Sequence, residues 1–176
     1  MVHIERTPLK MILRAVVYQN TGKLSLSEIV EREKPDLAMT GAFYNPAEWA
    51  PVCPVKAGGT VLFADQQYSY WALGWDVGAD MLPVLVPPGG ESDCRNYVAN
   101  CLLVRAGRPQ QKLTYNADVG GRRGRVAVGL TKDTWITYGA SDGSSGAMTP
   151  EELRDYMAGQ GCQFAVMMDG GGKVNL

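Results

Sequence analysis

The frequent interruption of this 176-residue chain by glycine and proline constrains its fold more than any other feature. There are 21 glycines and 10 prolines, and they separate apolar, β-branched segments that are mostly the length of a strand. Segments of this kind, bounded by turn residues, are typical of strands rather than of long helices. The sequence therefore predicts an α+β fold. We expect one domain over residues 1–176, with a mixed β-sheet, about two helices and long Gly/Pro-rich loops.

Most of the chain is assigned to strands and connecting loops. The segments predicted as strands are 10–19, 36–44, 100–105, 125–130, 134–138 and 163–168. The aromatic-rich residues 61–76 are predicted to form a hairpin, and 125–138 a second one. Loops are predicted at 45–60, 87–96, 107–124 and 139–147, where glycine, proline and small polar residues concentrate.

Two segments carry the signals of a helix start. Ser25 lies three residues before Glu28, and Thr149 lies three residues before Glu152, which is the spacing of a capping box. Pro150 stands at the first helical position and strengthens the second signal. The spacing predicts one helix over 26–34 and another from 150 to the glycines at 159 and 161.

Charge and residue usage exclude several classes of function. The net charge of −1 provides no global field for a nucleic acid polymer or an anionic membrane. His3 is the only histidine and is expected near a loose end. Multi-histidine metal sites are therefore excluded, and a histidine-containing catalytic triad would have to use His3. No signal-peptide h-region and no apolar stretch of membrane length occur, so a cytoplasmic protein is predicted.

The four cysteines, Cys53, Cys94, Cys101 and Cys162, include no C-x-x-C pair, which argues against a zinc knuckle. In a cytoplasmic protein they are expected as reduced, partly buried thiols. A disulfide between Cys94 and Cys101 remains the alternative.

A carboxylate followed by three glycines closes the last predicted strand. Asp169 precedes Gly170, Gly171 and Gly172 directly after the predicted strand 163–168, whose residues 164–168 are apolar. An acid at the end of a buried strand emerges at the sheet edge, and glycines let backbone amides approach a ligand closely. The run is therefore a candidate binding or catalytic site. A purely structural turn, in which Asp169 bonds the following amides, is the alternative.

Three other segments are candidates, each with a structural alternative. Arg125 begins a predicted strand beside two further arginines, which suits phosphate recognition but also a solvated basic loop. Thr40, Gly41 and Phe43 lie where a predicted strand bends, and they would line a pocket or form the edge of the core. Asp142 lies in a glycine/serine loop that carries function or merely connects.

Five segments, in order, resemble the phosphodiester glycosidase family. Residues 40–44 are similar to its N-G-G-F-F stretch, 103–107 to L-V-x-x-G, 125–129 to R-x-A-x-G, 149–153 to T-x-x-E-L, and 161–173 to G-x-x-x-A-x-x-x-D-G-G-G-S. Thr40 and Lys173 stand where the family usually has asparagine and serine. Members commonly continue through further strands, so either a short version, as a phage-encoded member would be, or an adapted cleft is expected.

The resemblance implies hydrolysis of a sugar-1-phosphodiester or a related glycosyl-phosphate or nucleotide linkage. Asp169 would be the acid/base or the nucleophile, and Asp142 the partner acid that two-carboxylate glycosidases need. The residues expected to bind the ligand and its phosphate are Arg125, Thr40, Gly41, Phe43, Gly170, Gly171, Gly172 and Lys173. No cofactor is required, although acidic loops leave a divalent cation open. The oligomeric state, including a homo-oligomer, is also open.

A second hypothesis is a binding module that does not cleave its ligand. The same cleft would sequester a nucleotide or sugar-phosphate, for example as a phage protein that captures a host immune signal. Lys173 beside the glycine turn would add a positive charge for a phosphate. A third hypothesis, an interaction protein, leaves Asp169 and Arg125 without a role.

Overall fold

The computed structural model describes residues 2–8, 16–18, 24–45, 47–48, 50–64, 69–76, 83–89 and 93–170. The strands are β1 Val2–Pro8, β2 Tyr44–Asn45, β3 Ala50–Pro51, β4 Val55–Ala57, β5 Thr60–Phe63, β6 Trp71–Trp75, β7 Val84–Val86, β8 Asn96–Arg105, β9 Arg108–Pro109, β10 Arg125–Leu130, β11 Thr134–Ala140 and β12 Phe164–Met167. The helices are α1 Leu26–Glu33 and α2 Pro150–Gly159, and a 3-10 turn covers Ala117–Val119. The predicted α+β class is confirmed.

One large sheet organises the described part of the chain. Its main path runs β1-β11-β10-β12-β8-β4-β5, while β6 and β9 pair with β8, and β7 pairs with β6. The pairs that join these strands are antiparallel. Strand β8 is the longest, with ten residues, and it pairs with four other strands. Strand β8 therefore links the β1-β11-β10-β12 part of the sheet to β4, β6 and β9.

The two helix predictions are confirmed in detail. Ser25 and Thr149 each accept the N–H of the residue three positions later, and both reciprocal bonds of the capping box are present. Helix α2 buries Leu153 and Met157 completely against one face of the sheet. Gly129 of β10 permits this close approach, because a Cβ there would lie 2.6 Å from Met157.

Several strand predictions are also confirmed. Residues 100–105 form the second half of β8, and 125–130 and 134–138 form the β10–β11 hairpin. The predicted strand at 163–168 is β12, and its buried residues Ala165, Val166 and Met167 lie between β10 and β8.

The prediction of a loose N-terminal end was wrong. Residues 2–8, including His3, form β1, which pairs with β11 from Val2 opposite Ala140 to Pro8 opposite Thr134. This pairing joins residues more than 120 positions apart, so no local signal marks it. The strand predicted at 10–19 lies mostly outside the described residues, and 16–18 form no strand.

The strand predicted at 36–44 was also wrong, because only Tyr44 belongs to a strand. The predicted loop at 45–60 contains β3 and β4, and β4 forms a hairpin with β5 through Gly58 and Gly59, both with positive φ. The hairpin predicted at 61–76 does not exist, since β5 pairs with β4, and β6 pairs with β7 and β8. In the described part of the chain, no helix is both long and apolar enough to cross a bilayer.

Candidate functional site

Asp169 follows β12 directly and is held by backbone bonds to a distant segment. The N–H of Met168 donates to the Val126 carbonyl at 2.8 Å, which continues the β12–β10 pairing by one residue. The N–H of Asp169 then donates to the Gly41 carbonyl at 2.9 Å. The Thr40 hydroxyl donates to the Asp169 carbonyl at 3.1 Å. The half-buried Asp169 thus has a defined backbone position, and the structure brings it together with Thr40 and Gly41 as predicted.

Asn100 of β8, which the sequence reasoning missed, joins these segments. Its side-chain amide group donates to the Gly41 carbonyl at 3.0 Å and lies 3.3 Å from the Met168 sulfur. Its oxygen accepts the N–H of Phe43 at 3.2 Å and the Cys53 thiol at 3.4 Å. Asn100 has no exposed surface. An uncharged amide within a buried apolar strand was the available signal, since buried polar groups need partners.

We call Thr40, Gly41, Asn100, Met168 and Asp169 the Asp169 cluster. Within the segment predicted as a strand, the Gly41 carbonyl and the Phe43 N–H pair with Asn100 and Asp169 instead of with a neighbouring strand.

Phe43, predicted to line the cleft, contributes its ring to the core. The side chain is 4% exposed and contacts Tyr70 edge to face, with ring centroids 5.9 Å apart. The structure therefore places its backbone, rather than its ring, beside the Asp169 cluster.

The Cys53 thiol, which donates to Asn100 of the Asp169 cluster, is neutral. Burial raises its pKa to about 12, and the negative charge of Asp169 acts in the same direction. All four cysteines are free thiols in the structure, including Cys94 and Cys101.

Arg125 is almost completely buried at the first position of β10, with 1% exposure. Its Nε donates to the Met148 carbonyl at 2.9 Å, and its Nη2 donates to the Gly121 carbonyl at 2.6 Å. Its Nη1 lies 3.9 Å from the Met167 sulfur. Burial lowers the pKa of Arg125, and the charge of Arg123 lowers it further. The predicted fixed position is confirmed, and its direct effect is to connect the loops at 121 and 148.

Asp142 and Gly170 both lie next to Gly124. The Asp142 carboxylate accepts the Gly124 N–H, and Asp142 is otherwise exposed. A Cβ at position 170 would lie 2.7 Å from the Gly124 carbonyl and 3.5 Å from Arg125, so only glycine fits there without a shift. We call Gly121, Gly124, Arg125, Asp142 and Met148 the Arg125 cluster. The Asp169–Gly170 bond joins it to the Asp169 cluster.

A further acid next to the Arg125 cluster was not singled out from the sequence. Glu151, in the first turn of α2, accepts the Tyr115 hydroxyl at 2.7 Å. This bond raises the pKa of Tyr115. The charge of Glu151 opposes the lowering of the pKa of Arg125. Glu151 was overlooked because an acid in the first helical turn is ordinarily explained by the helix dipole.

Three predicted site residues, Gly171, Gly172 and Lys173, lie outside the described residues. Among the residues that are described, no three His, Cys, Asp or Glu side chains converge in a group that would hold a metal ion. The groups in and beside the two clusters are three carboxylates, of Asp169, Asp142 and Glu151, a buried guanidinium and several backbone amides. This set is suited to proton transfer and to stabilising an anion.

Comparisons with known proteins identify the family and the fold of the chain. The sequence profile of the phosphodiester glycosidase family matches residues 33–176. The zebrafish N-acetylglucosamine-1-phosphodiester α-N-acetylglucosaminidase catalytic domain, auto-inhibited by its pro-peptide, superposes with a TM-score of 0.60 at 13% identity, over 77% of this chain and 51% of that one. A hypothetical protein from Synechocystis superposes with a TM-score of 0.57 at 8% identity, over 97% and 51%. The chain thus spans about half the length of these solved structures. No curated protein sequence matches it significantly.

Proposed function

Because the chain belongs to the phosphodiester glycosidase family, we propose that it hydrolyses a sugar-1-phosphodiester or a related glycosyl-phosphate linkage at Asp169. The observation that carries this proposal is the pair of backbone bonds that Asp169 makes with residues 40 and 41. They fix the acid at the end of β12 while leaving it half-buried rather than sealed. A fixed, partly accessible carboxylate is what acid/base or nucleophilic catalysis requires.

Two carboxylates flank the scissile bond in most glycosidases, and their separation sets the stereochemical course. Asp142 is the proposed partner of Asp169, since Gly124 and Gly170 connect the two acids through direct contacts. The bond from the Gly124 N–H holds the Asp142 carboxylate in position. One of the two carboxylates would act as the base or the nucleophile, and the other would protonate the leaving phosphate oxygen.

Arg125 is proposed to stabilise the anionic leaving group. A guanidinium has five N–H groups, and the bonds to Met148 and Gly121 use two of them. The buried charge lies next to Gly170, whose Cβ position is 3.5 Å from the Arg125 side chain. A positive charge in a desolvated position acts strongly on charge that develops nearby. Thr40, Gly41 and the glycines after Asp169 would contribute hydrogen bonds to the sugar and the phosphate.

The proposal identifies which bond breaks, and this can be tested with the methyl phosphodiester of α-D-glucose 1-phosphate in water enriched in oxygen-18. A glycosidase breaks the bond between the anomeric carbon and oxygen, so the label enters the sugar and unlabelled methyl phosphate leaves. A phosphodiesterase breaks a phosphorus–oxygen bond, so the label enters the phosphate. We expect unlabelled methyl phosphate, measured by mass spectrometry, and label in the phosphate product would contradict the proposal. The phosphate is the product to read, because free glucose exchanges its anomeric oxygen with water.

A second experiment distinguishes hydrolysis from binding without catalysis. Protein incubated with a nucleotide or sugar-phosphate is filtered, heat-denatured and its released ligand examined. Intact ligand in stoichiometric amount would identify capture, whereas cleaved ligand supports hydrolysis. Asp118→Asn provides a matched control for Asp169→Asn, because Asp118 is exposed and lies outside both clusters, and both changes remove one charge and preserve shape.

A further inference from the structure

A small polar pocket shares no lining residue with the Asp169 and Arg125 clusters. Its volume is about 50 Å³, several times the space that one water molecule needs. Leu102 of β8 and Trp71 of β6 form its apolar part. The remaining lining residues are polar: Ser69, Gln110, Lys112 and Thr114.

The polar lining comes mainly from the segment after β9. Gln110, Lys112 and Thr114 line the pocket, whereas Leu113 and Tyr115 pack against the core. The N–H of Gln110 donates to the Leu103 carbonyl at 2.9 Å, which anchors the segment along β8. Three polar residues of one segment therefore border one small space.

Positive charge concentrates at this pocket. Lys112 lines it, and the Arg105 guanidinium lies over the Trp71 ring at 4.5 Å from its centroid. Within the described residues, neither cation forms an ion pair with a carboxylate. The six lining residues include no acid. Two cations without acidic partners, beside hydroxyl and amide donors, match the chemistry of a phosphate group.

We propose that this pocket binds the phosphate group of a small phosphorylated molecule, with Lys112 as the main contact. The hydroxyls of Ser69 and Thr114 and the amide of Gln110 would donate to the remaining phosphate oxygens. The exposed part of Trp71 would contact a ring attached to the phosphate, because aromatic faces stack on sugars and bases. The site is independent of hydrolysis at Asp169, since neither cluster contributes to its lining.

Isothermal titration calorimetry with inorganic phosphate, glucose 6-phosphate and AMP tests this site. None of the three contains a glycosyl-phosphate bond, so the proposed hydrolysis does not interfere. We expect saturable binding of at least one ligand. Equal affinities would show that phosphate alone is recognised, and tighter binding of glucose 6-phosphate or AMP would add the contact with Trp71.

The matched variants are Lys112→Gln and Lys132→Gln, which remove one positive charge from two exposed lysines. We expect Lys112→Gln to raise the Kd about tenfold, which corresponds to about 1.4 kcal/mol, and Lys132→Gln to leave it unchanged. Lys112→Arg should restore most of the affinity, and Asp169→Asn should retain it. Absence of saturable binding with all three ligands, or equal affinity in wild type and Lys112→Gln, would overturn the proposal. Loss of binding in Asp169→Asn would also overturn it.

Discussion

Replacing Asn100 by alanine tests whether its side chain holds the Asp169 cluster together. The substitution removes the acceptor of the Phe43 N–H and the donor to the Gly41 carbonyl. Gly41 keeps the bond from the Asp169 N–H, but the Phe43 N–H is left without that partner in a buried position. The orphaned Phe43 N–H costs about 1–3 kcal/mol, and the lost bond to the Gly41 carbonyl costs about 1 kcal/mol more. We therefore expect Asn100→Ala to lower the free energy of unfolding by about 2–4 kcal/mol.

Asn96 provides a control on the same strand with the same change in side-chain size. It is also buried, at 3% exposure, but its oxygen accepts only the Gly58 N–H at 2.9 Å, in the β4–β5 hairpin. Its side-chain nitrogen has no hydrogen-bond partner among the described residues. Removing an unsatisfied amide offsets the loss of one bond, so Asn96→Ala should cost about 1 kcal/mol or less.

The assay is urea unfolding of both variants and wild type, with the m-value compared to confirm that the same transition is measured. A loss of 2–4 kcal/mol corresponds to a decrease in Tm of about 4–16 °C for a chain of this size. Amide exchange of Asp169 should also accelerate in Asn100→Ala and not in Asn96→Ala, because its acceptor Gly41 is no longer held. Equal effects of the two substitutions would refute the assignment of Asn100 as the joining residue.

Three further predictions concern packing, capping and pH. Gly170→Ala should lower the free energy of unfolding by about 1–3 kcal/mol, because the new Cβ would lie 2.7 Å from the Gly124 carbonyl. Gly159→Ala is the control, because a Cβ there meets nothing within 4 Å and should not destabilise the protein. The urea midpoints of both variants test this prediction. Thr149→Ala should cost about 1 kcal/mol by removing the α2 cap, and an unchanged Tm would contradict the capping role. Burial raises the pKa of Cys101 from 9.0 to about 12. Above about pH 9 the unfolded chain therefore loses this proton while the folded protein keeps it, and the free energy of unfolding should fall as the pH rises. Cys101→Ala should make this decline shallower.

Local signals in the sequence were sufficient for the helices and for several strands. The Ser25 and Thr149 caps each involve groups within three residues, so spacing alone identifies them. The strand at 163–168 was recognisable as buried because its residues 164–168 are all apolar. The position of Arg125 at the start of a strand followed from the same kind of pattern.

The remaining features depend on pairings between distant residues. Strand β1 forms against β11, and β6 pairs with β8 rather than with its sequence neighbour β5. Asn100 was missed because its partners Phe43 and Met168 are 57 and 68 residues away. Thr40 and Asp169 were both identified from the family motifs, but the bond between them, across 129 residues, became visible only in the structure.

The central claim is that Asp169 carries the chemistry of the cleft. Turnover of the methyl phosphodiester of α-D-glucose 1-phosphate by Asp169→Asn, measured beside its Tm, tests this claim most directly. The backbone bonds to Gly41 and Thr40 do not involve the carboxylate, and asparagine keeps the size and hydrogen-bonding ability of the side chain, so the Tm should remain close to that of wild type. We expect turnover to be abolished in this folded variant. Full activity of Asp169→Asn would contradict the account.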